Sequence, residues 1–164
     1  MPEKKTIERA NRDKRAGKAP STQAGEFVRE EIEHVREGKH GVRNTKQAIA
    51  IGLSKARRAG VKLAPPKAGN KAGNKKGAQS KAVRKRATRD LAQGARPAKA
   101  PSRKRSRATE SALKREGRGA ASKASLARQA RASASKRGPA ARQAAGRKAA
   151  ATRKATTRKR TRAR

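Results

Sequence analysis

Large apolar side chains recur with helical spacing between residues 27 and 63 of this 164-residue chain and are sparse elsewhere. In the run GEFVREEIEHVRE they fall at i, i+4 and i+7, which places them on one face of a helix: Val28, Ile32 and Val35, with Phe27 beside them. Ser21 and Thr22 precede this run as candidate N-caps, and Gly38 follows it as a candidate C-terminal glycine. The pattern predicts an amphipathic helix.

A second amphipathic helix is predicted for TKQAIAIGLSKARRA, which begins after Asn44 and ends at Gly60. Asn44 and Gln47 resemble a capping box. One face carries the apolar residues Ile49, Leu53 and Ala56, with Ile51 on its flank. The first helix is rich in acids and the second in bases, so an antiparallel hairpin over residues 21–63 would pair complementary charges.

Residues 1–20 predict a short charged helix or arm. The segment KKTIERANRDKR (4–15) mixes both signs of charge and has Ile7 as its one large apolar residue, and Gly17 and Pro20 follow it. Helices this short depend on packing for their stability.

The pattern changes after Leu63. Residues 64–78 contain two prolines and a repeated KAGN, which are typical of a linker. Residues 79–164 are mostly Ala, Lys, Arg, Ser and Thr, interrupted by Gly and Pro. Low hydrophobicity with a high net charge of one sign predicts disorder. The predicted fold class is therefore a mostly disordered chain with a small all-α N-terminal module.

Charge is segregated along the chain. Of the 49 Lys and Arg residues 33 follow Leu63, against 3 of the 11 acids, so this part carries +30 of the formal +38. Such a basic tail requires an anionic polymer, and nucleic acid is the most abundant one. The densest clusters are the predicted nucleic-acid-binding residues: Arg84, Lys85, Arg86, Arg103, Lys104, Arg105, Arg158, Lys159 and Arg160.

The nucleic acid predicted as partner is duplex DNA, with RNA as an alternative. Single-strand and sequence-specific RNA modules stack bases on aromatic side chains, and Phe27 is the only aromatic residue. A helix-turn-helix reader would use the cations beside the second helix, Arg43, Lys46, Arg57 and Arg58. Its turn has 3–4 residues, whereas GKHGVRN has about seven, so we favour a hairpin that buries Ile49 and Leu53.

No pattern indicates catalysis, a metal or a cofactor. The chain has no cysteine. His34 and His40, flanked by Glu30, Glu33 and Glu37, match no standard ligand spacing, and we interpret both histidines as exposed polar residues. The apolar runs are too short to span a membrane, and the N-terminal acids argue against a targeting peptide. A cytoplasmic protein without membrane insertion is predicted.

Residues 22–63 resemble a small bacterial family of uncharacterised proteins that share a GKHG…KQAIAIGLSKARRAG core followed by a Lys- and Ala-rich tail; the core letters stand at 38–41 and 46–60. Some members are described as histone-like, and the family is known by its sequence rather than by a biochemical role. In composition the tail also resembles linker-histone tails and the Ala/Lys-rich bacterial proteins that condense DNA.

The predicted function is non-enzymatic, sequence-tolerant DNA binding in a bacterial nucleoid by phosphate neutralisation. The 21–63 module would orient the chain or mediate self-association. An RNA- or ribosome-associated protein is the main alternative, because many such proteins carry basic extensions. A hydrophilic stress protein is the third hypothesis, although its charge would be nearer neutral.

Overall fold

The protein is mostly ordered and all-α in the computed structural model, which describes residues 2–66, 77–96, 102–136 and 138–162. The prediction of a mostly disordered chain is therefore wrong. Within the described ranges, none of the helices has the length and apolar character needed to cross a bilayer. The helices are α1 Lys4–Arg15, α2 Pro20–Glu37, α3 Thr45–Arg58, α4 Gly77–Gly94, α5 Arg103–Lys114, a 3-10 turn Gly119–Ala121, α6 Lys123–Ser135 and α7 Gly138–Arg162.

The chain divides into two compact units, an N-terminal unit Met1–Ser122 and a C-terminal unit Lys123–Arg164. The domain boundaries predicted at residues 20, 63 and 78 stay predictions. Most of the predicted linker 64–78 lies outside the described residues, which stop at 66 and resume at 77.

The helical hairpin has the predicted local signals at most of its ends. Gly38 ends α2 with a φ of 80°, a left-handed conformation that glycine adopts without strain. The Asn44 side chain accepts a hydrogen bond from the Gln47 backbone N–H at 2.9 Å, and α3 begins after it. The Gln47 side chain accepts from the N–H of Arg43 rather than of Asn44, so the capping box is displaced by one residue. The predicted caps Ser21 and Thr22 lie inside α2, which begins at Pro20.

Small residues dominate the core of the N-terminal unit. One cluster joins α1, α2 and α3 and contains Ala10, Ala24, Phe27, Ala56 and Val61. A second contains Val35, Val42, Ala48 and Ala121. Alanine is a weak source of hydrophobic energy but lets helix backbones approach closely, so the surfaces pack densely with few large side chains.

Residues 113–121, which the sequence assigns to the tail, pack on the hairpin loop. Ala121 is fully buried. The Thr45 hydroxyl donates to the Ala120 carbonyl at 2.7 Å, and Arg36 Nε donates to the Ala121 carbonyl at 2.9 Å. The backbone N–H of Gly41 donates to the Leu113 carbonyl at 3.0 Å. This segment therefore completes the second core cluster.

Helix α4 packs on α3 through small and polar contacts. Ala87 and Asp90 are buried on this side of α4. Asp90 accepts from the Ser54 hydroxyl at 2.7 Å and from Arg58 Nε at 2.9 Å. The disorder prediction fails here because it counted large apolar residues, whereas α4 is held by an alanine and a paired carboxylate.

The C-terminal unit consists of α6 and α7 in its described residues and contains no Asp or Glu. Helix α7 has 25 residues and is thus about 37 Å long. Ala, Arg, Lys and Gln make up much of both helices, and these residues have high helix propensity. Leu126, Gln129 and Ser133 of α6 are half-buried.

Candidate nucleic-acid interface

Helix α4 presents a row of cations to solvent. Lys81, Lys85 and Arg89 recur at i, i+4 and i+8, so they share the helix face that points away from Ala87 and Asp90. Successive members are about 6 Å apart along the axis. We call these three residues the α4 cation row. Two further cations of the predicted site, Arg84 and Arg86, are exposed on its flanks.

Helix α5 concentrates cations at its N-terminus. Arg103, Lys104 and Arg105 occupy its first turn and are exposed, and Arg107 follows one turn later. Arg103, Lys104 and Arg107 line a shallow open recess. A helix N-terminus carries partial positive charge and free N–H groups, so the side-chain cations in this first turn are electrostatically unfavourable there. A bound anion such as a phosphate would relieve this repulsion.

The third predicted cluster, Arg158, Lys159 and Arg160, belongs to helix α7. The side chains of these three residues lie outside the described part of the structure. Sequence reasoning missed Lys81, Arg89 and Arg107. The signal was available: Lys81 and Arg89 stand four residues either side of Lys85, a spacing that matters once residues 77–94 are known to form one helix.

The acids that would offset these cations are mostly engaged elsewhere. Four carboxylates are buried: Asp13, Glu30, Glu31 and Asp90. Ion pairs at the surface engage Glu26, Glu33, Glu37, Glu110 and Glu116. A hydrogen bond from Lys114 holds the pKa of Glu110 below its ordinary value, so this carboxylate stays ionised and paired. The exposed faces of α4 and α5 consequently remain positive.

Of the four cations considered for a helix-turn-helix reader, Arg57 is buried, Arg43 and Arg58 are exposed but pair with acids, and Lys46 is exposed. Arg57 is buried, and its Nε donates to the Leu63 carbonyl at 3.2 Å. Arg58 is paired with Asp90, and Arg43 Nε lies 3.5 Å from Glu116 Oε1. The loop between α2 and α3 has seven residues, as expected, which is longer than a helix-turn-helix turn.

A second polar site lies inside the N-terminal unit, and sequence reasoning missed it. We call Glu30, Glu31, His34, His40 and Lys55 the Glu/His cluster. Glu30 lies away from the apolar stripe of α2 in the sequence pattern, yet the side chains of Glu30 and of the neighbouring Glu31 are 2% and 1% exposed. Lys55 Nζ lies 3.5 Å from Glu30 Oε1 and 2.7 Å from Glu31 Oε2. Both histidine side chains are 14% exposed, so the interpretation of them as exposed residues is wrong.

Glu3 and Lys39 form the rim of this cluster. Glu3 Oε1 lies 2.8 Å from His34 Nε2 and 3.2 Å from Lys39 Nζ. The hydrogen bond with His34, followed by that from Lys39, lowers the pKa of Glu3. Hydrogen bonds to Glu37 and Glu3 raise the pKa of Lys39. The rim is thus ionised at neutral pH and ties the N-terminus to α2.

Comparison with known proteins yields one family and no individual relative. No curated protein matches the chain, and no solved structure does. Residues 3–68 match the model of a Family of unknown function (DUF6496). That match includes α1, α2 and α3 and stops before α4. Over residues 3–68 the chain is therefore similar to an uncharacterised family.

Proposed function

We propose that this protein is a non-enzymatic, sequence-tolerant binder of duplex DNA, associated with a bacterial nucleoid. Its exposed helical cations neutralise phosphates and release condensed counterions, which drives association without reading sequence. Helix α4 packs on α3, which holds the α4 cation row on an ordered scaffold, and α5 is joined to the hairpin loop near its C-terminal end through the Leu113 carbonyl. Self-association through residues 21–63 stays a prediction. In the N-terminal unit α1, α4 and residues 119–121 already pack on this hairpin.

The observation that carries the proposal is the separation of charge between interior and surface. In α4 the acid Asp90 is buried against α3, while five cations of the same helix face solvent: Lys81, Arg84, Lys85, Arg86 and Arg89. A soluble spacer would mix both signs at its surface. A surface of one sign attracts a polyanion at long range and holds it by many weak contacts.

The position of the aromatic residue and of the cations near α3 argues against recognition of base sequence. Phe27 is the only aromatic residue and is 1% exposed in the core, so it is not available for stacking on bases. Arg57 is buried, and the exposed Arg43 and Arg58 each pair with an acid, Glu116 and Asp90. The seven-residue loop between α2 and α3 is also longer than the turn of a helix-turn-helix reader. Phosphate contacts position a protein on DNA without specifying sequence.

The test replaces the α4 cation row by glutamine: Lys81→Gln, Lys85→Gln and Arg89→Gln together. Fluorescence anisotropy of labelled duplexes measures affinity across a salt series. Each lost phosphate contact reduces the slope of log affinity against log salt by about 0.9. The triple variant should therefore show a slope shallower by up to about 2.7, and duplexes of unrelated sequence should lose affinity equally.

A control variant removes the same charge from another helix. Lys4, Lys5 and Lys14 of α1 are exposed, and their replacement by glutamine should leave the slope within about one contact of the unaltered protein. If both variants lost the same amount of slope and affinity, net charge alone would determine binding and α4 would not be the interface.

A consistent preference for structured RNA over duplex DNA and heparin would favour the RNA-associated alternative.

A further inference from the structure

We propose that Glu31, His34 and His40 form a binding site for a divalent transition-metal ion of the Zn²⁺ class. The proposal is independent of DNA binding, because the site lies on α2 and the following loop rather than on α4–α7. One ligand atom from each of the three side chains lies within 4.8 Å of the others.

The local backbone brings the three side chains together. Glu31 and His34 stand at i and i+3 on α2, so they lie on the same face one turn apart. The left-handed Gly38 then reverses the chain, and His40 in the loop returns toward that face. His40 Nε2 lies 3.3 Å from Glu31 Oε1, and the two imidazole rings meet edge to face with centroids 6.2 Å apart.

His40 is oriented as a metal-binding histidine is. Its Nδ1 lies 3.1 Å from the Gly41 carbonyl oxygen, a partner that favours a proton on Nδ1. The lone pair is then on Nε2, which faces Glu31. Metal-ligating histidines usually donate their second ring N–H to a carbonyl or carboxylate in this way, which fixes the tautomer and the ring.

The charge balance of the cluster calls for a cation. Glu30 and Glu31 are both buried, and Lys55 is the ammonium that contacts them. Among the described residues neither Glu31 oxygen accepts a hydrogen bond, and Lys55 Nζ, 2.7 Å from Oε2, is the one permanent cation in contact with this carboxylate. With His40 in the neutral form described above, two buried carboxylates face one ammonium, so one negative charge is desolvated without a compensating partner. A divalent ion on Glu31 supplies the missing positive charge, with Lys55 retained on the other oxygen.

The ligand set selects the class of metal. Two imidazoles and one carboxylate suit Zn²⁺ and its neighbours, whereas Mg²⁺ and Ca²⁺ prefer all-oxygen sites. In a tetrahedral zinc site with bonds of about 2.0–2.1 Å, ligand atoms are roughly 3.4 Å apart. The distances between the three ligand atoms would have to shorten by on the order of 1 Å to reach this geometry. His40 lies in a loop, so its side chain can make this movement. Three protein ligands leave a fourth position for water or for Glu3 at the rim.

The test is calorimetric titration of the full chain with Zn²⁺, together with NMR of the histidine rings. The chain has two histidines and no cysteine, so any imidazole ligand is His34 or His40, and the ring signals report each of them separately. We expect one equivalent to bind, both rings to shift together up to that point, and the melting temperature to rise. His34→Gln or His40→Gln should weaken binding by at least the roughly 10- to 100-fold that loss of an orienting partner costs.

Glu33→Gln is the matched control, since Glu33 lies on the same helix, is 45% exposed and pairs with Arg29. It should bind Zn²⁺ as the unaltered protein does. The proposal is overturned if Zn²⁺ leaves the two rings of the unaltered protein unshifted at one equivalent. It is equally overturned if the double histidine variant binds as tightly as the unaltered protein; the cluster would then be a closed ion-pair network. Both readouts are independent of DNA, so their failure leaves the proposed function standing.

Discussion

At the scale of single residues, Gly52 determines how closely α3 approaches α2. A Cβ at this position would lie 2.6 Å from the Cα of Val28 and 3.0 Å from the Phe27 carbonyl oxygen. These neighbours are backbone atoms, which cannot move without shifting the helix. Gly25, also in α2, has nothing within 4 Å of the same hypothetical atom. The two glycines therefore differ in tertiary role although both are helical.

Gly52→Ala is expected to destabilise the protein by about 1–3 kcal/mol, because overpacking outweighs the better helix propensity of alanine. Gly25→Ala should stabilise it by about 0.5–1 kcal/mol, since only the propensity changes. Urea denaturation of both variants measures the change in the free energy of unfolding, which should have opposite signs in the two. Stabilisation by Gly52→Ala would show that the close approach of α2 and α3 is not required.

At the scale of elements, the 3-10 turn Gly119–Ala121 acts as a lid on the loop that joins α2 and α3. Its carbonyls accept from Thr45 and Arg36, and its Ala121 fills the second core cluster. Gly41 approaches the Glu116 backbone so closely that any side chain there would collide with it. A chain cut after Leu63 would therefore lose Ala121 from the second core cluster.

Ala121→Asp should destabilise the N-terminal unit by about 2–4 kcal/mol, because it buries an unpaired carboxylate beside Val35 and Val42. Ala108→Asp on the exposed surface of α5 is the control and should change stability by less than about 0.5 kcal/mol. Thermal denaturation measures both, and hydrogen exchange should show faster exchange at Val42 in the first variant. Equal melting temperatures would remove Ala121 from the core.

At the scale of the whole molecule, charge is sorted by position. The N-terminal unit contains all 11 acids, several of them buried, and the C-terminal unit contains fifteen Lys and Arg with no acid. Each unit on its own therefore presents a basic surface. Because the fold of the N-terminal unit includes α4 and α5, it keeps two of the predicted phosphate-binding clusters without the C-terminal unit.

A chain ended at Ser122 should remain folded and bind duplex DNA with lower affinity and a shallower salt slope than the full chain. If about ten cations of the full chain contact phosphates at once, its slope is near −9. The shortened chain loses the cations of α6 and α7 but retains the α4 cation row. Circular dichroism checks the fold, and anisotropy in a salt series gives both slopes. Identical slopes would exclude the C-terminal unit from the interface.

Local signals in the sequence determined the helices of the first 63 residues. The end of α2 at Gly38 and the start of α3 after Asn44 follow from apolar periodicity and capping, which act within one or two turns. The segment of α1 is recognised instead from its mixed charges and from Gly17 and Pro20, which follow it. The excess of positive charge is likewise a property of composition alone, as is the lack of aromatic residues for base stacking.

Tertiary structure alone decided whether the basic part is ordered and where the acids lie. Arg36 and Thr45 make hydrogen bonds to partners 85 and 75 residues away, and no local pattern announces such contacts. Ala87 and Ala121 become core residues only because a helix or loop meets them. Glu30 and Glu31 are buried where Lys55 of α3 and His40 of the loop after α2 meet them. Burial of small and charged residues depends on such partners, so it is a property of the assembled chain rather than of any segment.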